Sequence, residues 1–429
     1  MVLCAARPAH AQSPLTLADA IARARAHNPE VGSAAAAERE AAQRVAEVRG
    51  GYLPKVDLAE TWQRGNAPGF VFSSLLAERR FAAPDFGLGV LNHPAATDNF
   101  RTAISVEQPL FDRAISARLR EASVGREMAG TSRRLIDQEL AAGVTDAFGN
   151  ALIAAARVRS ATAVVETARA DRELAGSRRD SGRVTDADVL QVDVYLARAL
   201  AAQVEAVGDE RVARAQLNQL MGDPLDAAYS LDPEPPAVSI DISNPGALQS
   251  AALKDRPEVV LARQEEQRAA ATVAAAHAAF LPTISAQAGW EFDGARWNER
   301  SASWVVGAVA RINLFNGFAD NARLAAARSE VTRRAFEKDH AESLARLDVL
   351  VAIARLEAAR AQEDVGRAAA DQARTSHCIV RDRYASGLAD IAALLRSADA
   401  IDQAVQQQTV ARVRVLVAAA NLQRAIGKL

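Results

Sequence analysis

The sequence predicts a mainly α-helical protein built by tandem duplication, each half carrying long coiled-coil helices and one inserted pair of β-strands. Three observations predict this class. Asn28-Pro29-Glu30-Val31 followed by Tyr52-Leu53-Pro54 returns as Arg256-Pro257-Glu258-Val259 followed by Phe280-Leu281-Pro282, with the same spacing between the prolines of each pair. The chain is 49% hydrophobic but only 5% aromatic, and its Ala- and Arg-rich runs, such as Arg268-Ala269-Ala270-Ala271, are strong helix formers. After Pro54 and again after Pro282 the apolar period changes from helical to alternating. Two further echoes, Phe111 with Phe315 and Gly182 with Gly387, lie closer together than the proline pairs, so the first copy carries an extra loop. A unit this long is no solenoid repeat; it implies two pseudo-equivalent halves of one body.

Taken in order, Leu17, Ile21 and Ala24 give the opening segment from Leu15 to Gly51 a helical face, interrupted early by Pro29 and ended by Gly50-Gly51. Val56 and Leu58, then Thr102, Ile104 and Val106, alternate as a strand pair over about 55–109. The surplus of the first copy falls between Gly65 and Asn99 and reads as a long external loop with its own small cluster. The proline-free stretch from Asp112 to Arg179 would reach roughly 100 Å as one helix. It turns at Ser181-Gly182 into a shorter helix ending at Gly222, and the helical hairpin spans about 112–222. Residues 223–244 contain Pro224, Pro233, Pro235 and Pro236 and form a connector. The second copy repeats the plan over 245–429. Its opening helix is Pro245 to Ala279; strands at about 283–313 have Ile284, Ala286, Ala288 and Trp290 alternating, then Trp304, Val306 and Ala308. Its helical hairpin at about 318–427 turns at Ser386-Gly387. Each opening helix makes up, end to end, the length that the short return helix lacks. The return helices carry near-heptad seams, Val189, Val192, Leu196, Leu200, Val204 and Val207 in one and Ile391, Leu394, Ala398, Ile401 and Val405 in the other.

A net charge of −2 without a basic stripe argues against a nucleic-acid partner. No run of about 18 apolar residues provides a transmembrane helix. Yet all four tryptophans, Trp62, Trp290, Trp297 and Trp304, fall in the strand hairpins, the pattern of aromatics at a membrane interface. Only Cys4 and Cys378 occur, and Ala9-His10-Ala11 before Gln12-Ser13 reads as a signal-peptidase site, leaving 1–11 as a residual signal peptide; the alternative is an Ala-rich tail. Leu3 before Cys4 is a poor lipoprotein signal. Catalysis finds no support: the six histidines are scattered, adjacent His377 and Cys378 point apart on a helix, and no phosphate loop or nucleophile motif is present. No catalytic residue, metal site or cofactor is expected.

With these motifs the chain resembles the TolC-like outer-membrane efflux protein family. The matching residues are Asn28-Pro29-Glu30, Tyr52-Leu53-Pro54 and Gln108-Pro109-Leu110-Phe111, then Arg256-Pro257-Glu258, Phe280-Leu281-Pro282 and Asn313-Leu314-Phe315-Asn316-Gly317. Arg381, Tyr384 and Gly387-Leu388, with the terminal Leu422 to Gly427, complete the set. Residues 12–222 and 245–429 then correspond to two outer-membrane efflux repeats. The resemblance implies a homotrimer in the cell outer membrane, each subunit giving four strands to a 12-stranded β-barrel in outer-membrane lipid and its helices to an α-barrel tunnel in the periplasm. It implies passive conduction for a tripartite efflux pump, with an inner-membrane pump of RND or ABC type and a periplasmic adaptor, a membrane-fusion protein, as partners. The alternatives are a type I protein-secretion component or, in another class, a periplasmic coiled-coil scaffold. By the same resemblance Gly182, Arg183, Val184, Gly387, Leu388 and Ala389 dock the adaptor, while Asp188, Tyr384 and Arg396 belong to the entrance. Thr185-x-x-Asp188 is equally a helix capping box. Ala393 and Arg396 stand where relatives carry pore-ringing acids, and Arg396 can pair with Asp399 one turn on.

Overall fold

The computed structural model describes residues 14–232 and 240–429. The signal-peptide remnant and Pro233, Pro235 and Pro236 of the connector lie outside the described residues. The described residues divide into two compact units, Arg39–Met128 with Gln264–Phe336, and residues 14–38 with 129–232, 240–263 and Glu337–Leu429.

The first unit is organised by a four-stranded antiparallel sheet in sequential order, β1 (Lys55–Gly65), β2 (Thr97–Phe111), β3 (Thr283–Arg296) and β4 (Glu299–Arg311). The second hairpin joins the first through β2 and β3, where Ile104 stands opposite Trp290 and Arg101 opposite Asp293. Because side chains alternate across a strand, this register sorts the sheet into two unlike faces. Val56, Leu58 and Trp62 share one face with Phe100, Ile104, Trp290, Trp304 and Val306. Asp57, Thr61, Arg101, Glu107, Glu291 and Ser303 share the other.

The expected external loop contains regular structure: α3 (Pro68–Ala77), a 3-10 turn (Ala83–Phe86) and α4 (Leu88–Asn92). Pro68 opens α3 at a position where its missing N–H costs nothing. Phe81 makes edge-to-face contacts with Phe72 and Phe86 at 4.9 and 4.8 Å between centroids, giving the insert the small cluster foreseen for it.

The remaining elements are helical. Thr16 and Asp19 close a capping box on α1 (Leu17–His27). After the kink at Asn28, α2 (Pro29–Gly50) begins with proline, and α7 (Pro245–Asp255) and α8 (Pro257–Ala278) repeat that break in the second half. The long helices are α5 (Arg113–Asp180) and α9 (Ala319–Ala385), of 68 and 67 residues. The return helices are α6 (Asp186–Met221) and α10 (Ile391–Ala425). In both halves the end of the return helix meets the break in the opening helical segment. Gly222, with φ +74°, would carry a Cβ only 2.7 Å from the His27 carbonyl oxygen at the end of α1. Gly427, with φ +75°, would carry one 2.7 Å from the Asp255 carbonyl carbon at the end of α7. Glycine is required at both junctions for backbone conformation and for space.

The duplication also shows in the cores. Val144, Phe148, Leu217 and Met221 pack with Ala20 and Ala24 in one half; Val349, Leu356, Leu422 and Ile426 pack with Ala252 in the other. Of the connector, Leu15 bridges Leu231 in parallel, its N–H donating to the Ser230 carbonyl at 2.8 Å.

The seam expected on α6 needs correction. Val192 is buried, but Leu200, Val204 and Val207 are exposed, Val204 at 75%. The buried line runs instead through Val192, Ala199, Ala206 and Ala213, a seven-residue step that under-wound packed helices maintain. Small alanines occupy the seam because they admit close helix approach, and the larger aliphatics are left on a face that one chain does not cover. On α10 the expected residues do pack: Ile391 and Leu394 are buried, Ala398, Ile401 and Val405 half-buried.

Candidate channel faces and helical tips

The sheet supplies the first candidate surface. Its apolar face is open to the surroundings: Leu58 is 71% exposed, Trp304 73% and Val306 64%. Trp290 and Trp304 stand directly opposite each other. Trp62, opposite Phe100, lies four residues nearer the outer strand ends than Trp290, about 13 Å along the strand. Trp297 occupies the β3–β4 turn, where the Arg300 guanidinium lies 3.8 Å from its ring centroid. An apolar band with Trp62 and Trp297 toward its outer end, Trp290 and Trp304 at mid-strand and a polar opposite face fits a lipid-facing sheet with a wet lumen behind it. Glu60 interrupts the apolar run between Leu58 and Trp62; it is paired with Arg300 at 2.9 Å, and Thr102 bridges the two. That pairing was readable in the sequence only as an acid out of phase, because its partner lies on β4, three strands on.

The helical tips are the second surface. The α5–α6 and α9–α10 turns are the same device. The Gly182 N–H donates to the Arg179 carbonyl and the Arg183 N–H to that of Arg178; Gly387 donates to Tyr384 and Leu388 to Arg383. This is a Schellman ending with left-handed glycine, φ +68° at Gly182 and +77° at Gly387. Each turn delivers an N-cap: Thr185 accepts from the Asp188 N–H and Asp390 from the Ala393 N–H. Gly182, Arg183, Gly387 and Leu388 are exposed, Val184 and Ala389 half-buried, Ala389 resting on the tip cluster.

The entrance candidates part company within one chain. Asp188 completes the capping box, its carboxylate accepting from the Thr185 N–H and hydroxyl, both at 2.8 Å. These bonds, the backbone one foremost, hold its carboxyl below the usual range. Tyr384 is buried with Ala175, Val192, Ile391 and Leu394, and its hydroxyl meets no hydrogen-bond partner among the described residues. Arg396 is exposed and makes no ion pair with Asp399 among the described residues; Asp399 faces the Tyr195 hydroxyl instead.

About two turns behind the tips lies a polar layer that sequence reasoning missed, since its members come from four helices. Asp171 of α5 is buried, one carboxylate oxygen is unpartnered, and burial pushes its carboxyl up against the opposing pull of His377 and Arg381. His377 of α9 sits 2.9 Å from the Ser397 hydroxyl of α10, and its imidazole is pushed down by burial and by Arg381. Burial and the nearby Asp399, Asp402 and Asp171 push the Tyr195 hydroxyl of α6 up. Cys378 beside His377 is exposed.

Comparison with known proteins agrees with this geometry. The family model for outer membrane efflux proteins matches residues 20–223 and 248–428. The chain is 28% identical to Protein CyaE of Bordetella pertussis over 98% of its own length and 86% of that protein. It is 28% identical to the alkaline protease secretion protein AprF of Pseudomonas aeruginosa over 57% of this chain and 51% of that one. Its fold matches that of the outer membrane protein VceC from Vibrio cholerae, with a TM-score of 0.78 at 18% identity over 96% of each chain. The protein is an outer-membrane channel with long helices in the periplasm. It belongs to the outer membrane efflux protein family, a family of transport channels and not of enzymes, and the scaffold alternative falls away.

Proposed function

We propose that the protein is the homotrimeric outer-membrane conduit of a tripartite efflux system, passing substrates outward without an energy source of its own. The observation that carries this reading is the pair of open edges, β1 and β4, on a sheet with one apolar face. Unpaired strand N–H and C=O groups cannot remain in lipid, where each costs several kcal/mol, so other copies must close the barrel. The tips at Gly182 to Val184 and Gly387 to Ala389 are the docking points for a periplasmic adaptor, which couples the conduit to an inner-membrane pump. Support comes from the exposure of Gly182, Arg183, Gly387 and Leu388 on turns held rigid by capped helices.

Deletion of the gene with a susceptibility panel of antibiotics, dyes, bile salts and metals tests efflux; sensitisation restored by the intact gene is the expected result, and an unchanged panel contradicts it. Gly182→Trp and Gly387→Trp should abolish efflux in assembled trimers if the turns dock the adaptor. In the entrance role Asp188→Ala and Tyr384→Phe raise single-channel conductance; as a cap alone, Asp188 affects only the order of the α6 start. A second reading, export of proteins, is favoured by the similarity to a relative described as a protease secretion protein; loss of specific proteins from the culture medium with an unchanged panel would select it.

A further inference from the structure

The insert between β1 and β2 joins the strand ends opposite those that lead into α2 and α5, so in the proposed conduit it stands at the outer mouth. It does not extend away from the sheet. Val71 and Ser74 of α3 and its C-cap residue Glu78 are buried. The Ser301 hydroxyl donates to the Glu78 carbonyl at 2.8 Å, and Arg79 donates to the Ala302 carbonyl at 3.0 Å. Ser301 shares the polar face with Arg101 and Asp293, where buried Asp293 accepts from Asn99 and Arg101, each at 2.8 Å. The insert is therefore pinned on the polar face, the side that barrel closure turns inward. Three apolar side chains of the insert are uncovered in one chain: Leu76 is 50% exposed, Phe86 67% and Leu88 78%. Uncovered apolar side chains beside a wet lumen call for a partner, and symmetry around the barrel axis brings further copies of the insert into that space.

We propose that Leu76, Phe86 and Leu88 of the three inserts pack on one another and form an apolar ring across the outer mouth. This rests on the homotrimeric conduit. It adds a second constriction, at the end of the molecule opposite the helical tips, of a kind that resists water and ions by dewetting until cargo parts it. It also accounts for the extra loop of the first repeat, which β3 and β4 lack: one insert per subunit suffices to fill the mouth.

The test uses full-length protein carrying Leu88→Cys with Cys4→Ser and Cys378→Ser, oxidised in outer membranes and then measured for native mass in detergent. The expected result is a reducible two-chain adduct within a three-chain particle, together with a conductance rise of about two-fold or more in Leu88→Asp trimers. An intact trimer without the adduct, or with Leu88→Asp conductance unchanged, overturns the ring while leaving the conduit standing. A single-chain particle overturns both.

Discussion

Arg178 ties the two helical hairpins together at their tips: its guanidinium lies 4.6 Å from the centroid of the Tyr384 ring, and its Nη2 donates to the Ala385 carbonyl at 2.8 Å. The residue belongs to the last turn of α5 and both contacts belong to the last turn of α9, so one side chain fixes the relation between the two docking turns. Arg178→Ala removes a cation–π contact and a charged hydrogen bond, together worth about 1–2 kcal/mol. Faster amide exchange is expected over 383–389 without change in the sheet. Unaltered exchange there would show that the tips are held by the tip cluster alone.

Asp171 gives the helical unit a pH dependence whose sign follows from its raised carboxyl pKa. The folded protein holds this proton more tightly than the unfolded chain, so the contribution is full below the ordinary carboxylate range and lost as pH rises through the folded value. His377 acts oppositely: its depressed imidazole favours folding at neutral pH and opposes it as the solution becomes acidic. Asp171→Asn removes the neutral-pH penalty. It should raise Tm at pH 7 and lose that advantage near pH 4. A lower Tm at both pH values would mean that the buried carboxylate is stabilised by partners in the assembled protein.

Val305 and Val306 are neighbours in β4 with opposite surroundings, since their partners in register are Gly289 on the polar face and Ala288 on the apolar face. Val306→Arg should cost about 2–4 kcal/mol near the bilayer midplane and sharply reduce folded protein in the outer membrane. Val305→Arg should insert normally and shift ion selectivity toward anions. Equal tolerance of both would overturn the assignment of faces.

The two-fold repetition, the strand spans, the break at Pro29 and the helical turns were legible because each is set by local chemistry: paired prolines, alternation, and Ser-Gly turns that need positive φ; the matching break before Pro257, which splits the single helix expected from Pro245 to Ala279, was not read. The α6 seam was misread because Leu200, Val204 and Val207 have the size of core residues, whereas close helix approach selected Ala199, Ala206 and Ala213 for burial. The capping role of Asp188 was visible from Thr185 three residues before it. Arg178 over Tyr384 and the Asp171 layer were invisible, since their partners are brought together only when two hairpins pack. The insert showed itself as surplus length, but not that Ser301, more than two hundred residues away, would hold it.

The central claim is that three copies of this chain close one barrel. Native mass measurement of protein extracted from outer membranes, followed by single-channel recording of the same particles, tests it most directly. The account predicts a detergent-dependent particle of three chains that conducts ions across a planar bilayer. A monodisperse single chain that stays soluble without detergent and conducts nothing would contradict it.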